Sequence, residues 1–302
     1  MRDLVLAEQF KDANIIFATQ DLSGNINHKI QEKDYAIEIL DSNDIGEVNK
    51  LIKKYNIDMI VIDHYHIDKE YEEQLKTQYP ALKIMSLDDM YEKHCCDILL
   101  NHNINADPVK YIELVPVNCE IRCGAQYTLL RDEFKTIKKR IRDISKKDTL
   151  TVFIAMGGAD HSNKNKNILK VINKIGNIEA NVVTTGANKY LKELKAYVSD
   201  HKNVTLHINT DKIASLLNES DFAIVTPSVT VNEVVFMGLP FIAIQTADNQ
   251  NETAQYLEEH NFQVLRSYET NALVNAIKTI TDTKYYNDTV NNIDTVLKGE
   301  LN

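Results

Sequence analysis

Short apolar runs alternate with amphipathic stretches along most of the chain, beginning near Asn14. Apolar runs of roughly four to eight residues predict buried strands, and apolar residues three or four apart predict helices. The strands predicted in the first half are Asn14–Ala18, Tyr35–Leu40, Asp58–Asp63, Leu82–Leu87, Asp97–Leu100 and Cys119–Cys123. Those predicted in the second half are Thr149–Met156, Ala180–Thr185, Val204–His207, Phe222–Thr226, Phe241–Gln245 and Phe262–Leu265. With helices between them, this alternation predicts an α/β fold with parallel sheets.

A charged amphipathic segment, Asp132–Lys147, separates the two halves. We place the domain boundary at its end, which gives domains of residues 1–147 and 148–302. The segment contains the densest positive run of the chain, Lys138–Arg140 with Arg142, which a solvated helix face explains. Two α/β halves of similar length predict a cleft between them, and such a cleft is a usual place for a ligand.

The first residues pose a topological question. Leu4, Val5 and Ala7, with Phe10 after them, have helical spacing, so a helix precedes the first predicted strand. Parallel neighbours are joined through helices, and this helix should therefore lead away from an earlier strand. The sequence has no strand before it.

Composition and charge restrict the partners. The chain is 43% hydrophobic and 26% charged, which is ordinary for a soluble protein. It has no apolar run near the ~20 residues that span a bilayer and no signal-like start, so we expect a cytoplasmic protein without a membrane partner. A formal charge of −10 argues against nucleic-acid binding. An anionic ligand must therefore be held by local backbone donors and a few side chains.

The four cysteines do not have the spacing of a common zinc site. Cys95 and Cys96 are adjacent, and Cys119 and Cys123 are separated by three residues. A metal site that includes His94 and His102 stays open, but buried or inert thiols are the better interpretation. We therefore predict neither a metal nor a cofactor.

Two stretches of the second half are suited to phosphate chemistry. Gly157-Gly158 follows a strongly apolar strand and precedes a helix, so the backbone there can turn sharply towards an anion at the helix N-terminus. As a plain tight turn, the pair would need no ligand. Ser228 follows another strand and Glu233 lies about one turn into the next helix, where a carboxylate suits the two hydroxyls of a ribose. The alternative is that Thr226 or Ser228 caps the helix and Glu233 favours its positive end.

Two further polar clusters are candidates for contact with a sugar. Asn249 and Gln250 lie at a helix entry, where amides can bind a sugar or a phosphate or can serve as turn formers. His64 and Tyr65 end a buried strand of the first half. Ligands of parallel sheets lie beyond the carboxyl ends of the strands, so these residues are placed for chemistry, although a structural histidine is also possible.

Taken together, these stretches resemble a family, the nucleotide-sugar hydrolases of the pseudaminic acid pathway, which cleave UDP-2,4-diacetamido-2,4,6-trideoxy-β-L-altropyranose. The residues that carry the resemblance are RDLVLAEQF at Arg2–Phe10, IDHYHI at Ile62–Ile67, HCCDILLN at His94–Asn101, EIRCGAQYTLLRDEF at Glu120–Phe134, MGGAD at Met156–Asp160, VNE at Val231–Glu233 and DNQNETAQYL at Asp248–Leu257.

The resemblance implies two Rossmann-like domains that face a cleft, as in GT-B glycosyltransferases, with UDP held mainly by the C-terminal domain. Gly157, Gly158, Ser228 and Glu233 would line the nucleotide site. Tyr65 matches the tyrosine and Asn249 the asparagine that the family places near the sugar, and Gln250 lies beside Asn249. Water would displace UDP at the anomeric carbon with inversion, so the expected partners are a UDP-sugar and water.

The resemblance also implies a histidine base in a G-x-G-H turn after a first strand, just before the segment that matches Arg2. Met1 stands where that turn should end, so we expect the first strand and its loop to be missing. The start codon could lie inside the real reading frame, the protein could be a truncated form that still binds UDP, or His64 could be the base. A related glycosyltransferase is the further alternative.

Overall fold

The computed structural model of this chain describes residues 2–22, 25 and 27–298. Its contacts divide the chain into two compact units, Met1–Leu129 and Leu130–Asn302, which we call the N-terminal unit and the C-terminal unit. Every predicted strand is present and lies within two residues of its predicted ends. None of the helices in the described ranges combines the length and the apolar character needed to cross a membrane.

The N-terminal unit alternates short helices with short strands. Its elements are α1 (Arg2–Ala7), β1 (Ile16–Thr19), α2 (Asn27–Gln31), β2 (Ala36–Ile39), α3 (Ile45–Tyr55), β3 (Met59–Ile62), α4 (Lys69–Gln78), β4 (Lys83–Leu87), β5 (Ile98–Asn101) and β6 (Glu120–Cys123). Helix α1 confirms the helix that the spacing of the first residues predicts. The Asp68 carboxylate caps α4 by accepting the Tyr71 N–H at 3.0 Å, and Asn56 ends α3 in the left-handed region.

The strands of this unit form two parallel sheets. One consists of β1 and β2, and the other has the order β3-β4-β5-β6. Within the described ranges, β1 and β3 each pair with one strand. Val61 in the edge strand β3 is 40% exposed, whereas Leu99 in the interior strand β5 is fully buried. The edge position explains this exposure, because an interior strand of a parallel sheet is covered on both faces.

The C-terminal unit is a larger α/β layer structure. Its elements are α5 (Asp132–Thr136), β7 (Leu150–Ala155), α6 (Lys164–Ile175), β8 (Ile178–Thr184), α7 (Leu191–Ser199), β9 (Val204–Ile208), α8 (Ile213–Glu219), β10 (Phe222–Val225), α9 (Val229–Phe236), β11 (Phe241–Ile244), α10 (Asn251–Glu259), β12 (Gln263–Leu265), α11 (Thr270–Ile280) and α12 (Thr283–Lys298). All strands are parallel, in the order β12-β11-β10-β7-β8-β9. Helices α6, α7 and α11 pack on one face of the sheet.

The segment after α5 differs from the sequence prediction. Residues 137–149 contain no helix, so the positive run is not a solvated helix face. Arg142 instead donates to the carbonyls of Leu217 and Met237, at 3.1 and 2.9 Å, where α8 and α9 end. A guanidinium there satisfies free carbonyls and offsets the negative helix ends. The segment therefore packs on the C-terminal unit, and the unit begins at Leu130, before the boundary predicted after Lys147.

Asp221 fixes the same segment at the amino edge of the sheet. Its side chain is 1% exposed and accepts Arg140 Nη2 and Lys147 Nζ, each at 2.6 Å. The second carboxylate oxygen accepts the Thr151 N–H of β7 at 2.9 Å. A buried carboxylate with these three donors has its charge compensated and ties the segment to β7.

We expect Asp221→Asn to destabilise the C-terminal unit by about 3 kcal/mol, because Arg140 and Lys147 lose the anion between them. Urea unfolding of the full chain checks the free energy, and limited proteolysis should cut faster between residues 137 and 149. Glu193→Gln is the matched control, since it removes an exposed pair with Lys166 and should cost less than ~1 kcal/mol. Equal effects of the two substitutions would contradict this account of Asp221.

Candidate functional site

The strand order of the C-terminal sheet brings two of the predicted stretches together. The chain proceeds outward from β7 to β9, returns to β10 beside β7, and then proceeds outward in the other direction. In open α/β sheets, ligands bind at the carboxyl ends of the strands at such a reversal. The loop after β7 carries Gly157 and Gly158, and the loop after β10 carries Ser228. Both glycines and Ser228 therefore lie at the edge where this fold binds ligands.

The double glycine has a conformational requirement at each position. Gly157 has a φ of +75°, which favours glycine. A Cβ on Gly158 would lie 2.8 Å from Thr185 Cγ2, and the Gly158 carbonyl accepts the Thr185 hydroxyl at 2.9 Å. Glycine thus allows the loop to approach the end of β8 closely. This constraint alone is compatible with the plain-turn alternative.

The start of α6 is less available to an anion than the sequence suggested. The Asp160 carboxylate accepts the N–H groups of Lys164 and Asn165, at 2.7 and 3.1 Å. These are donors of the first helical turn, so the helix carries its own anion at that end. We therefore look to the glycine loop and to the start of α9 for phosphate donors.

The hydroxyls before α9 do not follow the capping alternative. Ser228 is the N-cap residue, but its side chain caps no backbone N–H of the described chain. Its Oγ lies 3.0 Å from Thr226 Oγ1, so the two hydroxyls bond to each other. A pair of hydroxyls at the end of a buried strand can turn towards a ligand without breaking a helix cap.

Glu233 lies one turn into α9 beside a cation that the sequence analysis missed. Its side chain is 17% exposed, and its Oε1 accepts Arg131 Nη2 at 2.9 Å. Burial raises the pKa of Glu233, and the charge of Arg131 opposes that rise. Arg131 stands in the stretch RDEF, where a cation flanked by carboxylates was the available signal, but its partner is a hundred residues away in the sequence.

The amides of the second half have different surroundings. Gln250 Oε1 accepts the Thr246 N–H at 2.9 Å, so this side chain closes its own loop. Asn249 lies in the 3-10 helix Asp248–Gln250 and is exposed to solvent. Asn249 is thus the more available of the two amides for a ligand.

At the carboxyl edge of the N-terminal unit, one guanidinium joins two strand ends. Arg2 pairs with Asp63 after β3, through contacts of 2.5 and 2.8 Å, and lies 3.4 Å from Asp89 after β4. Tyr65 is 66% exposed, and its hydroxyl lies 3.4 Å from Asp89 Oδ2. Burial and the neighbouring Asp63 raise the pKa of Asp3 beside this cluster. The sequence placed Tyr65 here but gave no role to Arg2 or Asp89.

His64 has contacts on both ring nitrogens. Its Nδ1 accepts the His66 N–H at 3.1 Å, and its Nε2 lies 2.6 Å from Asn43 Nδ2. A histidine base needs a lone pair that faces the water. Because Nδ1 accepts the His66 N–H, the proton of the neutral ring lies on Nε2, so His64 could accept a proton through Nε2 only after it changes tautomer and releases Asn43.

A buried network supports the loop that carries Asp89. His94 Nδ1 lies 2.9 Å from Glu72 Oε1, its Nε2 lies 3.9 Å from Asp88, and Asp88 accepts the Tyr111 hydroxyl at 2.6 Å. Although burial opposes it, the carboxylates of Asp88 and Glu72 raise the pKa of His94 to about 9. Among the described residues, no three His, Cys, Asp or Glu side chains form a metal-binding group.

Comparison with known proteins identifies similar sequences, although no family model matches the chain. The chain is 38% identical to UDP-2,4-diacetamido-2,4,6-trideoxy-β-L-altropyranose hydrolase from Campylobacter jejuni over 267 residues, which are 88% of this chain and 93% of that protein.

Among solved structures, it is similar to MurG of Acinetobacter baumannii, with a TM-score of 0.66 and 11% identity over 98% of this chain and 90% of that one. The spinosyn rhamnosyltransferase SpnG complexed with thymidine diphosphate also has a TM-score of 0.66 and 11% identity, over 99% of this chain and 92% of that one. These likenesses show the fold, which is the expected pair of Rossmann-like α/β domains of the GT-B type.

We expect the His94 ion pairs to make the N-terminal unit less stable in alkaline solution. Because the folded-state pKa is about 9, above the usual 6.5, the contribution is complete below pH 6.5 and is lost as the pH rises through 9. Urea unfolding should show that the margin of wild type over His94→Gln shrinks by roughly 2–3 kcal/mol between pH 6 and pH 10. His28→Gln, at an exposed histidine of α2, is the control. A margin that does not change with pH would contradict the assignment.

Proposed function

Because the chain belongs to the family of UDP-2,4-diacetamido-2,4,6-trideoxy-β-L-altropyranose hydrolases of the pseudaminic acid pathway, we propose that it hydrolyses this UDP-sugar at the anomeric carbon. The products are UDP and the free diacetamido sugar. The observation that carries the proposal is the 38% identity, which extends over 88% of the chain and includes both units.

The C-terminal unit holds the UDP moiety in this proposal. The glycine loop and the start of α9 lie on neighbouring strands at the sheet reversal, where backbone N–H groups can bind a diphosphate. Ser228 supplies a hydroxyl, and Glu233 accepts the ribose hydroxyls. The partly buried carboxylate of Glu233 supports this role, because a desolvated acceptor binds hydroxyls more strongly than an exposed one.

Tyr65 and Asn249 contact the sugar in this proposal, with Gln250 holding the loop of Asn249. Both side chains are exposed and polar, and each follows a strand at the carboxyl edge of the sheet in its own unit. UDP leaves as a stabilised anion, so the reaction needs little general-acid help but needs donors for the charge that develops on phosphate. The remaining task is to position and deprotonate a water, for which His64 is the candidate base.

The experiment that tests the function is incubation of the full chain with the UDP-sugar and no added acceptor. We expect UDP and the free sugar to be released in equal amounts, as measured by NMR. The sugar that forms first should have the anomeric configuration opposite to that of the substrate. UDP-N-acetylglucosamine is the control substrate and should be turned over at least 100-fold more slowly. Turnover only after an acceptor is added would indicate a glycosyltransferase, and UDP binding without turnover would indicate a binding protein.

If His64 is the base, His64→Gln should lower kcat by at least ~100-fold and leave the dissociation constant for UDP unchanged. Asn43→Ala is the matched variant, because it releases His64 Nε2 without removing the imidazole, and it should retain kcat. Steady-state kinetics and calorimetry measure the two quantities. Activity of His64→Gln within a few-fold of wild type would remove His64 from the base role and leave it as a support for the Asn43 loop.

A further inference from the structure

Arg131 lies between two carboxylates at the carboxyl edge of the C-terminal sheet. Its Nη2 donates to Glu233 Oε1 at 2.9 Å, and its Nη1 lies 2.9 Å from Glu133 Oε1. The arginine side chain is 29% exposed, and the carboxylate side chains are 23% and 17% exposed. These partly desolvated charges interact more strongly than a surface pair would.

Contacts with Glu133 and Phe134 fix the position of the Arg131 guanidinium. Glu133 Oε2 accepts the Ala214 N–H in the first turn of α8 at 3.0 Å, which fixes the carboxylate that orients Arg131. The Phe134 ring centroid lies 5.5 Å from Arg131 Cζ, a cation–π distance. Helix α8 therefore determines the position of Arg131 through Glu133, and Arg131 in turn determines the position of the Glu233 carboxylate.

Glu233 requires this partner if it is to bind a ribose. Only an ionised carboxylate accepts hydrogen bonds on all its lone pairs, whereas a protonated one keeps a donor of its own. Burial favours the protonated form, and Arg131 opposes it. Oε1 accepts Arg131, while Oε2 accepts no hydrogen bond from any residue in the described part of the chain. The free oxygen and the remaining lone pair of Oε1 can receive two neighbouring hydroxyls.

We propose that Arg131 is a positioning residue, which keeps the Glu233 carboxylate ionised and oriented to accept the two ribose hydroxyls of the nucleotide. The proposal rests on the proposed function, because it assumes that UDP occupies the C-terminal unit. Arg131 acts through Glu233 and does not contact the nucleotide. Substitution of Arg131 should therefore weaken nucleotide binding only when Glu233 and the ribose hydroxyls are both present.

A double-mutant cycle tests the proposal by calorimetry with UDP and with 2′,3′-dideoxyuridine diphosphate. Arg131→Gln and Glu233→Gln should each weaken UDP binding at least tenfold, and the double variant should be within twofold of Glu233→Gln. Arg131→Gln should change the affinity for the dideoxy nucleotide less than twofold. Arg131→Lys should recover part of the loss, because it restores the charge without the planar fork.

Arg122→Gln is the matched control, since Arg122 pairs with Glu120 at an exposed site of β6, and it should bind UDP as wild type does. Circular dichroism and urea unfolding establish that each variant folds. Equal losses for UDP and the dideoxy nucleotide, or full additivity of the two substitutions, would overturn the proposal in favour of a direct phosphate contact or a general structural role. Wild type that binds UDP but releases none from the UDP-sugar would overturn the hydrolase function and leave the Arg131 comparison interpretable.

Discussion

The C-terminal unit depends on charge compensation of two carboxylates at opposite edges of one sheet. Asp221 precedes β10 and Glu233 follows it in α9, and in a low-dielectric environment the ionised form of either carboxyl group is costly without a cation. The three cations come from residues 130–147: Arg140 and Lys147 pair with Asp221 at the amino edge, and Arg131 pairs with Glu233 at the carboxyl edge. The segment is therefore part of the unit that it stabilises. Arg140, which pairs with Asp221, and Arg131, which pairs with Glu233, lie within ten residues of each other.

The order of the strands brings the candidate phosphate donors of the C-terminal unit together. Because β10 returns to pair with β7, the glycine loop and the start of α9 become neighbours although they are about seventy residues apart in sequence. Asp160 satisfies N–H groups in the first turn of α6, so the donors left for an anion are those of the glycine loop and of the start of α9. A chain with a formal charge of −10 can in this way concentrate backbone donors at the edge where, on the proposed function, a diphosphate binds.

The sequence predicted the strands well because parallel strands are covered on both faces and read as continuous apolar runs. The prediction was wrong for residues 137–149, where the spacing of the charges predicts a solvated helix. Arg142 of this segment instead donates hydrogen bonds to carbonyls at the ends of α8 and α9. The sequence placed Gly157 and Ser228 after strands and Glu233 about one turn into the following helix, and the strand order brings all three to one edge of the sheet. It could not find Arg131, because no local pattern encodes a partner a hundred residues away.

The proposed reaction separates charge, and the C-terminal unit offers donors for the negative part of it. Departure of UDP places negative charge on phosphate and positive charge on the anomeric carbon. Backbone donors at the start of α9 suit the first, because the first N–H groups of a helix have no acceptor within the helix. On the proposed function, these donors serve where a general acid would otherwise be needed, because the departing diphosphate is already a stabilised anion.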